Sequence, residues 1–303
     1  MKSPLLSIII PCYQAAQHLR TLPERIDLTS QQSIYNVQFV IVDSNSTDNT
    51  GIELLHLQSL RPDLLLPAVS DRVGPGMARN IGLEYATGDF IAFLDVDDRF
   101  DLDAYLELAQ SMKSAEAEVG AGGYEIVDLS LPIDSEPAQR EIGAHCVAIT
   151  DLLGNHAAVW RYVFSRAWLE QNQLKFPPTM LGEDFLFVLD VSAHSPITLF
   201  IDRTMCTYFI GQPGQATNPS ISNARRPELL REIARRAADQ SKNSTQSSLL
   251  AIWFMRVWGV GFRDSDSKGK FSSIGQLALW TNAGNPRSNL LKALKSLLRT
   301  SPA

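Results

Sequence analysis

Leu5-Leu6-Ser7-Ile8-Ile9-Ile10, closed by Pro11, is an apolar, β-branched run about one strand long. Such a run suits a strand buried on both faces rather than on one. Downstream, Leu19, Leu22 and Ile26 recur at helical spacing between Ala15 and Leu28, and Val37 to Val42 repeats the strand pattern and ends on Asp43. That order is one βαβ unit, which predicts parallel pairing. Ser46, Thr47 and Asp48 offer N-caps for a helix carrying Ile52, Leu55 and Leu60, and Leu64 to Val69 reads as a third strand. A helix near Met77 to Ala86, stopped by Gly88 in a left-handed C-terminal position, leads to a fourth strand at Phe90 to Leu94. The alternation predicts an α/β fold: a mostly parallel sheet flanked by helices, with ligands gathering beyond the carboxyl ends of the strands. Asp43 and Asp95 both stand at such ends.

Beyond about Asp101 the alternation loosens. A helix to Met112, strand-like Val119 to Asp128 and a polar stretch around Pro132 to Pro137 precede helices near Trp160 to Gln171 and Glu183 to His194. Ile197 to Ile210 reads as extended chain, and the turn-rich residues after Gly211 read as a loop or lid. From Pro227 onward the pattern is helical. These changes predict a catalytic domain over residues 1–215 and a helical C-terminal extension over 216–303.

The 303 residues, 45% hydrophobic and 20% charged, have the composition of a globular protein. A formal charge of -6 argues against broad electrostatic capture of nucleic acid. Cys12, Cys146 and Cys206 form no CxxC pair and read as buried free thiols of a reducing compartment. No apolar run reaches the roughly 18 residues of a membrane span, and the expected location is the cytoplasm. Leu290, Leu291, Leu294, Leu297 and Leu298 alternate with Lys292, Lys295 and Arg299, an amphipathic pattern suited to peripheral contact with anionic lipid. A plain surface helix or a homo-oligomer contact is the alternative for it. Leu249 to Phe262 reads as a helix packed on the catalytic domain.

In Asp95-Val96-Asp97 the two acids are two residues apart, so an extended backbone would point both to one face. Carboxylates held together repel unless a proton or cation intervenes. All-oxygen ligation suits Mg²⁺ or Mn²⁺, which take further ligands from water and substrate phosphates. The bland alternative is that Asp97, Asp98 and Asp101 cap the helix beginning at Leu102.

Four blocks resemble the inverting, GT-A-fold glycosyltransferases of family two, over roughly residues 5 to 211. They are Ser7 to Tyr13, Val40 to Asp48, Gly74 to Gly82 with Thr87 to Ile91, which resembles the helix and strand that deliver that family's Asp-x-Asp motif, and Gly182-Glu183-Asp184-Phe185, which is similar to its Glu-Asp motif. The resemblance implies a Rossmann-like nucleotide-binding sheet and transfer of one hexose from a nucleotide sugar, with a uridine nucleotide as the expected donor. The implied acceptor is a saccharide or lipid-linked sugar in bacterial surface-polysaccharide synthesis. It also implies that Pro11, Tyr13 and Asp43 line the nucleotide pocket and that Arg79 sits beside the nucleotide. Asp95 then faces the ribose and the metal shell, Asp97 is the principal metal ligand, and Asp184 is the general base.

The chain departs from the family pattern in two places. Ser44-Asn45 stands where a second acid and a glycine are usual, and Gln212 and Gln215 stand where a basic residue and a serine are frequent. Trp160 and Arg161 are acceptor-site candidates on position alone. A dinucleotide fingerprint is excluded because Arg79 occupies the third glycine position after Gly74 and Gly76. A sugar nucleotidyltransferase would need a glycine-rich basic loop after the first strand, where Pro11-Cys12-Tyr13-Gln14-Ala15 stands instead. A catalytically silent binding subunit is the third reading.

Overall fold

The computed structural model describes residues 4–27, 37–60, 62, 64–66, 74–129, 139–141, 149, 158–211 and 219–237. The chain divides into two compact units, Met1–Leu152 with His156–Gln212, and Leu153–Asn155 with Pro213–Ala303. The first holds β1 (Leu6–Cys12), α1 (Ala16–Asp27), β2 (Val37–Asp43), α2 (Thr50–Leu60), α3 (Pro75–Tyr85), β3 (Phe90–Phe93), β4 (Arg99–Phe100) and α4 (Leu102–Ala115). It continues with β5 (Val119–Asp128), β6 (Gln139–Glu141), a 3-10 turn (Val159–Arg161), β7 (Tyr162–Ser165), α5 (Arg166–Gln171), α6 (Glu183–Ala193) and β8 (Thr198–Ile210).

One sheet runs in the order β2-β1-β3-β7-β5-β8-β4, with β6 added on β5. β1 pairs parallel with both β2 and β3, and β5 pairs parallel with β8. β7 enters antiparallel between β3 and β5. β1 is therefore paired along both edges, and every one of its residues is buried, as its apolar run requires. Leu65 adds an isolated parallel bridge to Val40 beside β2, and residues 67–69 of the expected third strand lie outside the described residues.

Several sequence-based expectations change. The stretch Trp160 to Gln171 is not one helix: a 3-10 turn leads into β7, which fills the gap between β3 and β5 before α5 begins. Packing from distant strands overrides local helical pattern there. On α2 the inward residues are Leu54 and Leu57, whereas Ile52, Leu55 and Leu60 are exposed. In the second unit, α7 (Pro219–Ala237) begins before Pro227 and continues through it. The lid positions Gln212 and Gln215, the 132–137 stretch, Cys146, and the segments 249–262 and 290–299 lie outside the described residues. No helix among the described residues is long and apolar enough to cross a membrane.

Gly88 also differs from expectation. α3 ends with Ala86 in an extended conformation, and Gly88 does not have the positive φ of a left-handed cap. Its smallness is needed for close approach instead. A Cβ there would lie 2.6 Å from the backbone nitrogen of Ser7, and its N–H donates to Ser7 Oγ at 2.8 Å. Ser7 Oγ in turn donates to Gln38 Oε1 at 2.6 Å, so residue 88 is locked onto β1 and β2 at once. Gly88→Ala must push β1 aside and is expected to cost roughly 1–3 kcal/mol. A lowered urea midpoint with an unchanged m-value would show it, and an unmoved midpoint would contradict the close-approach argument.

Candidate functional site

The carboxyl ends of β1 and β2 lie side by side, with Cys12 in register with Asp43. Tyr13, just past β1, is 59% exposed, whereas Pro11 and Asp43 are buried. Asp43 Oδ1 accepts hydrogen bonds from Ser46 N at 3.2 Å and Ser46 Oγ at 2.6 Å, which builds the turn after β2. Gln14 laces the two strand-end loops together. Its backbone N–H donates to Ser46 Oγ at 2.9 Å, its Nε2 donates to Thr47 Oγ1 at 2.9 Å, and its Oε1 accepts from Asp48 N at 3.0 Å. Asp48 accepts from Thr50 N at the start of α2.

The two departures in the β2 turn have physical explanations. Asn45 has φ 62, the left-handed region that asparagine tolerates best after glycine. Ser44 is buried, and its Oγ accepts from Gly74 N at 3.0 Å. A hydroxyl at this position therefore tethers the start of α3. Gly74 has φ 119, and a Cβ on it would meet Met180 Sδ at 2.7 Å, so the tether sits under the loop leading to α6.

Arg79, on α3, is the centre of the site. Its side chain is only 2% exposed and meets three carboxylates. Nη1 donates to Asp184 Oδ1 at 2.6 Å and to Glu183 Oε1 at 3.0 Å, and Nη2 donates to Asp95 Oδ1 at 2.8 Å. The guanidinium also lies over the Phe176 ring, 5.3 Å from its centroid. Burial opposes its charge, but attraction from Asp184, Asp95 and Glu183 outweighs that and raises its pKa. The expectation of Arg79 beside the nucleotide thus meets a side chain enclosed by protein acids.

Asp184 stands in the first turn of α6, whose N-cap Gly182 has φ 71. Besides Arg79, it accepts from Val159 N at 3.2 Å through Oδ2. Burial pushes its carboxyl up, and although Arg79 and the Val159 N–H oppose this, Glu183 and Asp95 add to it, leaving a pKa of about 7. A carboxylate of that basicity is suited to accept a proton at neutral pH. Glu183 had no role in the sequence-based reading. The signal for it was its place in the Glu-Asp pair, but its partner is far away in the chain.

Asp95-Val96-Asp97-Asp98 follows β3 as a turn, closed by Asp98 N donating to the Asp95 carbonyl at 3.2 Å, and not as extended strand. Val96 points into the core. The capping alternative divides: Asp101 caps α4 by accepting from Ala104 N at 3.2 Å, while buried Asp98 accepts from Phe209 N at 3.1 Å and ties the turn to β8. Asp95 and Asp97 remain partly exposed. Among the described residues no group of three His, Cys, Asp or Glu is preassembled around a metal position. Two partly exposed carboxylates at one turn nevertheless fit a hard divalent ion that takes its other ligands from phosphate and water.

Trp160 and Arg161 are corrected as acceptor-site candidates. They are 2% and 0% exposed. Trp160 packs edge-on against Tyr124 and stacks on Tyr208, and the Arg161 guanidinium lies over the rings of Tyr124 and Tyr162. A buried cation sandwiched between aromatic faces is a core element.

Three parallel strands bearing Asp43 and Asp95 at their carboxyl ends, joined through antiparallel β7 to the rest of a mixed sheet, with a second acidic pair in the first turn of α6, define a GT-A-like α/β protein. The chain belongs to glycosyl transferase family 2, whose sequence pattern matches residues 7–135. An uncharacterized glycosyltransferase of Haemophilus influenzae is 31% identical over 194 residues, 63% of this chain and 72% of that one. An Escherichia coli protein, UDP-Glc:alpha-D-GlcNAc-diphosphoundecaprenol beta-1,3-glucosyltransferase WfgD, is 34% identical over 128 residues, 42% of this chain and 49% of that one. The match thus spans about half of the length of that relative. Among solved structures, S. aureus TarS in complex with UDP-GlcNAc superposes with a TM-score of 0.68 at 20% identity, covering 92% of this chain and 79% of that one. Mannosyltransferase PcManGT from Pyrobaculum calidifontis, in complex with GDP-Man and Mn²⁺, gives 0.58 at 16% identity, covering 99% and 89%. At such identities the likeness is one of fold.

Proposed function

We propose that this chain is an inverting glycosyltransferase that moves one hexose from a UDP-sugar to a saccharide or lipid-linked acceptor in bacterial surface-polysaccharide synthesis. The observation that carries the reading is the joining of strand-end Asp95 and helix-start Asp184 by buried Arg79. One acid thereby faces the donor end of the sheet while the other has the basicity to take a proton. Family membership and the relatives named above support the donor and acceptor classes.

In this reading the first unit is the catalytic domain and the rest of the chain a C-terminal extension. Exposed Tyr13 stacks on the base, Pro11 shapes the pocket floor, and Asp43 accepts from uracil N3. Asp95 meets the ribose. A divalent ion held by Asp97 and Asp95 would supply neutralisation of the leaving diphosphate. Asp184 takes the acceptor hydroxyl proton as the hydroxyl oxygen bonds to the anomeric carbon and the carbon–oxygen bond to the diphosphate breaks. Attack opposite the leaving group inverts the anomeric configuration.

The pH dependence tests the base. Below about pH 7 Asp184 holds its proton and cannot accept another, so kcat/KM is expected to rise roughly tenfold per pH unit up to about 7 and then level off. The profile is read from UDP release in the presence of Mn²⁺. A rate independent of pH between about 5 and 8 would remove Asp184 from that role.

A further inference from the structure

The three acids around Arg79 are unequally enclosed. Side-chain exposure rises from 10% for Glu183 to 21% for Asp184 and 29% for Asp95. Glu183 is thus the inner counter-ion, and the two more open acids are the ones that can meet substrate. They use different nitrogens of one planar group, Asp184 on Nη1 and Asp95 on Nη2.

We propose that Arg79 is a positioning residue whose two terminal nitrogens hold the donor-side carboxylate Asp95 and the acceptor-side base Asp184 at one fixed separation, so that placing the donor also orients the base. This rests on the function proposed above. The guanidinium is itself held in place. Phe176 lies against it, stacked on Phe187 at 4.0 Å between centroids and edge-on to Phe93 at 4.9 Å. Asn80, one residue along α3, pins the Phe176 backbone in both directions, with Nδ2 donating to the carbonyl at 2.9 Å and Oδ1 accepting from the N–H at 2.8 Å. Gly76 brings α3 close to α6, since a Cβ there would lie 3.1 Å from Glu183 Cγ. Arg79 Nε is buried without a hydrogen-bond partner, so the carboxylates and the ring define its pose. Lysine would keep the charge but offers a single nitrogen in place of a fork.

Arg79→Lys therefore separates the bridge from simple charge balance. UDP binding with Mn²⁺, by calorimetry, is expected to stay within about threefold of wild type, while UDP release from a UDP-sugar falls about 100-fold with little change in donor KM, the cost of a misplaced reacting group. Turnover within about threefold of wild type would overturn the bridge, because charge alone would suffice. Loss of UDP binding together with turnover would also overturn it, by making Arg79 a direct donor ligand. Should the lysine variant not fold, Phe176→Leu decides: it keeps every charge and removes the ring that sets the pose of the guanidinium, so a fall in turnover of more than about tenfold with UDP affinity kept supports the bridge and turnover within about threefold contradicts it. A wild type that binds no UDP is a separate result that removes the proposed function, and the bridge with it.

Discussion

Asp184→Asn is expected to lower sugar transfer by roughly 10²–10⁴-fold while leaving UDP binding near wild type. The amide keeps the size of the carboxylate but cannot take a proton at neutral pH. Folding should survive the change. Three acids surround one guanidinium, and burial opposes the charge of Asp184, so neutralising it reduces an excess of negative charge. Glu183 stays on Arg79 Nη1 at 3.0 Å. Single-turnover transfer and UDP calorimetry on the same preparation separate chemistry from binding. Full transfer by the variant would place the base elsewhere.

Asp97→Ala has the second large expected effect, and it falls on binding. Asp97 is partly exposed beside the buried Asp98 that ties the turn to β8, so its removal should leave the fold intact. In the wild type, UDP at about 100 times its Kd stabilises the folded state by roughly 2.7 kcal/mol. Mn²⁺ should enlarge the UDP-dependent rise in Tm, and the variant should lose that increment while keeping the part due to the base and ribose. An Asp97→Ala variant that still responds to Mn²⁺ like wild type would show that the ion is held by other groups.

The sequence was most legible where local pattern and burial agree. The β1 run reads as a doubly buried strand because its place between β2 and β3 demands what its composition offers, and Asp43 and Asp95 were visible as acids at strand ends. Contacts made over long separations were not legible. Arg79 meets Asp95, Glu183 and Asp184 at separations of 16, 104 and 105 residues, so no spacing rule could have shown that its charge is enclosed. Trp160 and Arg161 look like surface candidates beside a helix until β7 is seen to draw them into the core. Gly88 looked like a helix terminator, but its requirement comes from the Ser7 backbone on another strand.

The wild-type arm of the nucleotide experiment tests the central claim most directly. Thermal shifts measured with uridine, guanosine and thymidine diphosphates, each with and without Mn²⁺, should show UDP raising Tm, and more so with the ion, since a ligand that binds only the folded state must stabilise it. No shift by any of these nucleotides in either condition would contradict the assignment of a nucleotide-sugar donor site to the ends of β1, β2 and β3.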